Sequence, residues 1–191
     1  MGGEPLKSDQ SFEEVVVQRR SIRRYQDRDV PEELIVELLE LAKQAPSSMN
    51  GQPWTFVVIR DAETKKRISE LKNRFCPPEK RSFRAEFLSQ APVILVVGVE
   101  KSRSYGRELE NGVLATGWQL LAAREKGLGS VYMSAYQPHD PGLAVEIGKL
   151  LHLPDDVQAV TILPLGYPDE TPSKKELRPL TGMLHHEFYG E

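Results

Sequence analysis

Five arginines fall within ten consecutive positions near the start of the chain: Arg19, Arg20, Arg23, Arg24 and Arg28. The whole chain has a formal net charge of −3, so this local excess of cations needs an anionic partner to offset its repulsion. A guanidinium fork binds phosphate through two parallel charge-assisted hydrogen bonds, and Ser21 adds a hydroxyl donor. The cluster predicts a phosphate site; the alternatives are a solvated basic turn or a basic patch for nucleic acid or localisation.

A loop of small and amide residues at positions 46–53 provides a second set of polar groups. Its hydroxyls and amides, which can both donate and accept hydrogen bonds, belong to Ser47, Ser48, Asn50 and Gln52. A phosphorylated heteroaromatic ring would suit both the arginines and this loop. The alternative is a Ser-Asn-Gly turn that links a helix to a strand.

The sequence gives no sign of other common sites. It contains no dinucleotide or P-loop glycine motif, no nucleophile elbow and no metal-binding histidine spacing, so we predict no metal and no single catalytic residue. The one cysteine, Cys76, excludes an intramolecular disulfide and is interpreted as an incidental thiol. The mild net charge argues against nucleic acid as the main partner. Without an apolar signal core or a membrane-length apolar run, the expected location is the cytoplasm.

Helices and strands must position these groups. Ser11 and Glu14 predict a capping box for a short helix, whose apolar face of Phe12, Val15 and Val16 leads into the arginines. Pro31 begins a second helix that is expected to end just before Pro46.

Periodicity predicts the remaining elements. Strands are expected at 54–60, 92–99, 128–133 and 156–166, with the second of these buried on both faces. Helices are expected at 61–73, 109–126 and 140–150, and residues 75–90 have no clear pattern. The long helix has a predicted stripe of Leu109, Val113, Thr116, Gly117, Leu120, Leu121 and Arg124. The order of elements favours the α+β class. The 191 residues fit one domain, with a disordered lead at 1–10 and an arm at 167–191 packed on a neighbouring subunit.

Two motifs resemble the nitroreductase family of FMN-dependent oxidoreductases. They are Arg19-Arg-Ser-Ile-Arg23 and Ala45-Pro-Ser-Ser-Met-Asn-Gly-Gln-Pro-Trp54. Looser elements follow in the family's order, including Gly127-Leu-Gly-Ser130 and Leu165-Gly-Tyr-Pro168. The similarity covers residues 12–185, and the length resembles compact, short-loop members. It implies a nitroreductase-like fold, with a central, mostly antiparallel sheet flanked by helices.

The resemblance also implies bound FMN, with NAD(P)H as the electron donor. By this match, Arg19, Arg20 and Ser21 contact the phosphate and ribityl groups, and Arg23 lies toward the flavin ring. The backbone of Met133, Ser134 and Ala135 is expected against the isoalloxazine. On the arm, Arg178 matches the family's basic phosphate residue, with Lys175 as the alternative.

A homodimer with two interface FMN sites and a domain-swapped arm is implied too. In such a dimer the loop that reaches the flavin from the partner subunit corresponds to Ser47, Ser48, Asn50 and Gln52, with Pro46 and Met49 beside them. Larger relatives have an amide and a lysine at the flavin's pyrimidine edge, and residues 83–90 offer no match for them.

The implied function is two-electron transfer from NAD(P)H to an oxidised small molecule, such as a nitroaromatic or a quinone, by a ping-pong mechanism. Three alternatives remain at this point. The protein is a non-redox flavin- or nucleotide-binding module, a family member with flavin-consuming or dehalogenating chemistry, or an interaction protein with a basic turn.

Overall fold

A computed structural model describes residues 10–77 and 84–190. Five strands form one sheet in the order β1-β2-β5-β3, and β4 also pairs with β5. Each of these strand pairings is antiparallel. The strands are β1 (Trp54–Ile59), β2 (Val93–Glu100), β3 (Gly129–Ser130), β4 (Met133–Ser134) and β5 (Val157–Gly166).

Helices cover both faces of this sheet. They are α1 (Phe12–Gln18), α2 (Glu32–Ala42), α3 (Ala62–Arg74), α4 (Phe87–Gln90), α5 (Lys101–Ser104), α6 (Glu108–Glu125) and α7 (Gly142–Leu150). The predicted α+β class, with a mostly antiparallel sheet flanked by helices, is confirmed. In the part of the chain described, no helix has the length and apolar character needed to cross a membrane. The predicted lead at 1–10 lies almost entirely outside the described residues.

The central strand β2 separates two hydrophobic cores. Ile94 and Val96 belong to the core that includes Ile68 of α3 and Ile147 of α7. The intervening residues Val93 and Leu95 belong to the opposite core, with Ile35 and Leu38 of α2 and Ala122 and Ala123 of α6. Because successive side chains of a strand point to opposite faces, this continuous apolar run is buried on both sides, as its composition predicted.

The long helix α6 turns a different face to the sheet from the one that its apolar stripe predicted. Most of the predicted stripe is only partly buried, whereas the fully buried face consists of Asn111, Gly112, Ala115, Thr116, Gln119, Ala122 and Ala123. A Cβ on Gly112 would lie 2.6 Å from a methyl group of Val160 on β5, so the helix and the strand approach closely. The hydroxyl oxygens of Thr116 and Thr161 of β5 are 2.6 Å apart. Close approach and hydrogen bonding, rather than bulk hydrophobicity, select the inward face.

Three local predictions also differ from the structure. The capping box of α1 is present, with Glu14 Oε2 accepting from Ser11 N at 2.7 Å, but of its predicted apolar face only Val15 is buried. Helix α2 ends at Ala42, three residues early, because the next residues form turns such as Gln44 N to Leu41 O at 3.0 Å. The predicted strand at 128–133 is two short strands, β3 and β4.

Candidate cofactor-binding site

The arginine segment, residues 19–26, is held between β3 and the residues that follow β5. Ser21 forms a parallel bridge with Ser130, and Ile22 N donates to Ser130 O at 3.1 Å. On the other side Tyr25 forms a bridge with Pro168, and Asp169 N donates to Arg24 O at 3.0 Å. Backbone contacts on both sides therefore fix the directions of the arginine side chains.

Two of the five arginines, Arg24 and Arg28, have partners within the chain. Glu170 accepts hydrogen bonds from the backbone N–H groups of Arg23, at 2.5 Å, and Arg24, at 3.1 Å. The Glu170 carboxylate also pairs with the Arg24 side chain at 3.8 Å. The Arg28 guanidinium lies 3.7 Å above the ring of Tyr167, in cation–π geometry.

Arg19 and Arg20 line a cleft of about 450 Å³ between α1, α6 and the start of the arm, which we call the cationic cleft. Two further cations line it, Arg124 of α6 and Lys174 of the arm, with Glu170 as the acid. One nitrogen of Arg20 donates to Val17 O at 2.7 Å and to Arg19 O at 2.9 Å, so this side chain also caps the end of α1. Among the described residues, no carboxylate lies within ion-pair distance of the four cations. The cleft is therefore suited to an anion.

Arg23 lines a second cleft of about 300 Å³, which we call the ring cleft. Its other lining residues include Lys72, Cys76, Phe87, Met133 and Ser134. Lys72 Nζ donates to Ser134 O at 2.6 Å, and the Arg23 guanidinium carbon is 5.9 Å from the centre of the Phe87 ring. Cations beside an aromatic wall suit a planar group on which negative charge can develop.

Residues from the same two segments of the chain, 19–23 and 130–134, line both clefts. Arg19 and Arg20 face one cleft and Arg23 faces the other, while Ser130 lines the first and Val131, Met133 and Ser134 line the second. Partial burial raises the pKa of the Tyr132 hydroxyl, which also lies at the ring cleft. The two clefts are therefore lined by neighbouring residues of the same two segments.

The loop at 47–52 is anchored elsewhere in the chain. Ser48 N donates to Asn111 Oδ1 at 3.0 Å, and Asn111 Nδ2 donates to Ser104 O at 3.1 Å. Since Asn111 and Arg124 are 124 − 111 = 13 residues apart on α6, the loop anchor is about 20 Å along the helix from the cationic cleft at a rise of about 1.5 Å per residue. Among the described residues, the loop lines neither cleft.

The loop itself has an unusual backbone. Met49, Asn50 and Gln52 adopt the left-handed conformation, with φ of 50°, 53° and 46°. Such values are uncommon for residues other than glycine and asparagine. Gly51 lies so close to the α5 segment that a Cβ there would be 2.1 Å from Arg103 O. The loop thus has one defined shape that exposes the side chains of Met49 and Asn50.

A model of the nitroreductase family matches residues 16–167, which include the arginine segment, the loop and all five strands. The chain belongs to the nitroreductase family. It is 35% identical over 175 residues to the iodotyrosine deiodinase of Thermotoga neapolitana, covering 82% of this chain and 88% of that protein. It is 31% identical over 190 residues to the FMN reductase [NAD(P)H] of Bacillus subtilis, covering 89% of this chain and 71% of that protein.

Among solved structures, an iodotyrosine deiodinase bound to FMN and 3-iodo-L-tyrosine is similar, with a TM-score of 0.75 and 33% identity. The match covers 88% of this chain and 96% of that one. Similarity over nearly the full length of both chains means that the fold is shared as a whole, and not only its sheet.

In this nitroreductase-family chain, the predicted site residues fall into three groups. Arg19, Arg20 and Ser21 lie at the cationic cleft or beside it, and Arg23, Met133 and Ser134 line the ring cleft. Ala135 is buried behind the ring cleft and donates to Val160 O at 2.9 Å. The loop group, listed from Pro46 to Gln52, is separate from both clefts: Pro46, Ser47, Ser48, Met49, Asn50 and Gln52.

The arm carries three basic residues that bear on the predicted phosphate contact. Arg178 and Lys175 are both exposed, and in the described part of the chain it is Lys174 that lines the cationic cleft. The position of Arg178 in the assembled site stays a prediction. Sequence reasoning also missed Arg124 and Lys72, because nothing near them in sequence marks them as neighbours of the arginine segment. In the described ranges no group of three histidine, cysteine or acidic side chains could hold a metal ion.

Proposed function

We propose that the protein is an FMN-dependent oxidoreductase that transfers two electrons from NAD(P)H to an oxidised small molecule by a ping-pong mechanism. The observation that carries this proposal is the cationic cleft beside the ring cleft, because its arginines have no carboxylate partner among the described residues. The Bacillus subtilis relative is named an FMN reductase [NAD(P)H], and the similar deiodinase structure contains FMN. Both names support the cofactor that the two clefts fit.

The residues of the two clefts suit the two ends of FMN. Arg19 and Arg20 would hold the phosphate through charged hydrogen bonds, and Ser21 would lie at the ribityl chain. Arg23 and the backbone of Met133 and Ser134 would contact the ring. When bound, FMN supplies the redox chemistry itself, as acceptor of a hydride and then as donor of two electrons.

The chain's own part is to bind, orient and tune the ring. Arg23 would place a fixed positive charge where negative charge develops on reduction, which favours the reduced form without a proton-transferring residue. Lys72 fixes the Ser134 carbonyl through its 2.6 Å hydrogen bond and keeps the β4 backbone in one position at the ring cleft. Acceptors such as nitroaromatics and quinones need only reach the exposed face of the ring, which the open ring cleft permits.

A second copy of the chain would complete each site. The loop at 47–52 has a defined shape, and in the part of the chain described it lines neither cleft of its own chain. Large apolar side chains are also exposed on α6 and the arm, notably Leu114, Trp118, Leu177, Leu180, Phe188 and Tyr189. We infer a homodimer in which these surfaces meet, the arm crosses to the partner and each loop contacts the partner's flavin.

Dehalogenation is the second candidate. It is favoured by the 35% identity to an iodotyrosine deiodinase over 82% of this chain, and by the similar structure that holds 3-iodo-L-tyrosine. The same cofactor and the same clefts would serve it, with a halogenated aromatic as the acceptor.

Anaerobic spectroscopy tests the proposal and separates the two candidates. The purified protein, loaded with FMN, should lose its yellow absorbance when NADH or NADPH is added. A quinone, a nitroaromatic or 3-iodo-L-tyrosine is then mixed with the reduced protein, and the acceptor that restores the absorbance fastest identifies the chemistry. A protein that binds no FMN, or binds it without bleaching, would refute the oxidoreductase.

A further inference from the structure

We infer that Arg124 is a third guanidinium of the phosphate site and lets the protein distinguish FMN from flavins that lack a phosphate. This inference rests on the proposed function. Arg124 lies in the last turn of α6 and lines the cationic cleft, 124 − 26 = 98 residues after the end of the arginine segment. Neither the motif of the arginine segment nor the motif of the loop includes Arg124.

The environment of Arg124 is unusual for an arginine with only a packing role. Its Nε is buried, and among the described residues nothing accepts a hydrogen bond from it. One terminal nitrogen donates to the side-chain oxygen of Gln18, which is a neutral partner. No carboxylate of the described residues pairs with it. A half-buried guanidinium without an anion has lost hydration that an anionic ligand in the same cleft would replace.

Gln18 fixes the orientation of this guanidinium. With Nη2 held by the Gln18 oxygen and Nε buried, Nη1 is the guanidinium nitrogen that remains for a ligand. A fork that is already oriented loses little side-chain entropy when it binds, so its contact with phosphate is stronger than that of a free surface arginine.

Charge in the cleft explains why the target is a dianion. Among the described residues its lining includes four cations, Arg19, Arg20, Arg124 and Lys174, and one acid, Glu170, which is already paired with Arg24. A phosphate monoester carries about −1.5 to −2 at neutral pH and offers three acceptor oxygens. Riboflavin has the same ring and ribityl chain without this group. The difference in affinity between FMN and riboflavin therefore measures how strongly the cationic cleft binds the phosphate.

The test compares flavin affinities of purified full-length apoprotein, followed by quenching of flavin fluorescence. Arg124→Met keeps the aliphatic stem and removes the charge, and Gln18 is exposed, so water can replace its lost partner. Arg124→Lys keeps the charge without the fork. The matched control is Arg67→Met, which removes an exposed arginine of α3 that pairs with Glu70 on the same helix. Each protein is titrated with FMN and with riboflavin, and NADPH and NADH are compared as electron donors.

Arg124→Met should weaken FMN binding by roughly 10- to 100-fold, the range for one charged hydrogen-bonded contact, and leave riboflavin binding unchanged. Arg124→Lys should lie between, and Arg67→Met should match the wild type. Equal loss for both flavins, no loss for either, or an effect confined to NADPH would overturn the inference. If the wild type itself binds neither flavin, the proposed function fails first, so the two failures are distinguishable.

Discussion

Mixing two defective variants tests whether each site is built from two chains. One variant is Arg19→Ala, which lacks a phosphate contact. The other combines Ser48→Ala with Asn50→Gly in the loop; glycine accepts the left-handed φ of 53° at that position, so the loop keeps its shape and loses its amide. Arg19→Ala should cost roughly 1.5–3 kcal/mol of FMN affinity, or about 10- to 100-fold.

The fraction of sites that regain FMN binding depends on which chain supplies the altered cleft and which supplies the altered loop. In a symmetric dimer with random exchange, about half of the molecules are mixed. If the loop serves the partner's cleft, each mixed dimer has one intact site and one with both lesions, so about half of the sites in the isolated mixed dimers recover. If the loop serves its own cleft, every site keeps one lesion and none recovers. The structure favours recovery, because the loop anchor lies about 20 Å along α6 from Arg124.

The assay is FMN retained per subunit, with NAD(P)H-driven acceptor reduction, after the two variants are coexpressed with different tags and the mixed dimer is isolated by both tags. Arg67→Ala mixed with the loop variant is the control, since it should give one intact site per mixed dimer wherever the loop acts. Mixed dimers that retain no more FMN than the two parents, beside a control that does, would refute assembly of the site from two chains.

Three further expectations concern single positions. Gly51→Ala should lower the free energy of unfolding by about 1–3 kcal/mol in urea titrations, because its Cβ would meet Arg103 O at 2.1 Å; an unchanged midpoint would contradict the described loop packing. Tyr25→Phe removes the 2.6 Å hydrogen bond to Ile22 O, and should cost about 1 kcal/mol at pH 7. Burial, and secondarily Glu170, raises the pKa of Tyr25 above its usual 10.0. Because Tyr25 then ionises first in the unfolded chain, the free energy of unfolding of the wild type should fall as the pH rises above 10. A fall just as steep in Tyr25→Phe would exclude this residue as the cause. Arg23→Met should lower the midpoint potential of bound flavin in spectroelectrochemical titrations, with Arg23→Lys closer to the wild type; equal potentials in all three would remove Arg23 from the ring's electrostatics.

Local signals in the sequence were enough to predict much of the framework. The Ser11–Glu14 capping box, the strand at the centre of the sheet and the α+β class depend on short patterns, and the structure confirms each of them. Helix α6 shows where such patterns fail. Its inward face is chosen by the closeness of Val160 to Gly112 and by the Thr116–Thr161 contact, and neither partner on β5 is near α6 in sequence.

The residues of the candidate site likewise fall into those that the sequence predicts and those that only the fold brings to the site. Arg19 and Arg20 are adjacent, so their cooperation was predictable from the charge cluster alone. Arg124, Lys174 and Lys72 reach the two clefts from other elements, and only the fold brings them there. The family resemblance implied that the loop serves a partner's flavin, and the structure adds the hydrogen bond to Asn111 that anchors the loop away from both clefts.

The contact between Glu170 and the arginine segment has a consequence for biosynthesis. The Arg23 amide and the Glu170 carboxylate, which form a hydrogen bond, are 147 positions apart. Ser21 forms a bridge with Ser130 of β3, and β3 is itself paired with β5. The arginine segment is therefore expected to have no fixed geometry until Glu170 has been synthesised. A nascent chain stalled before Glu170 should capture no flavin, so cofactor loading is expected only after this distant residue has left the ribosome.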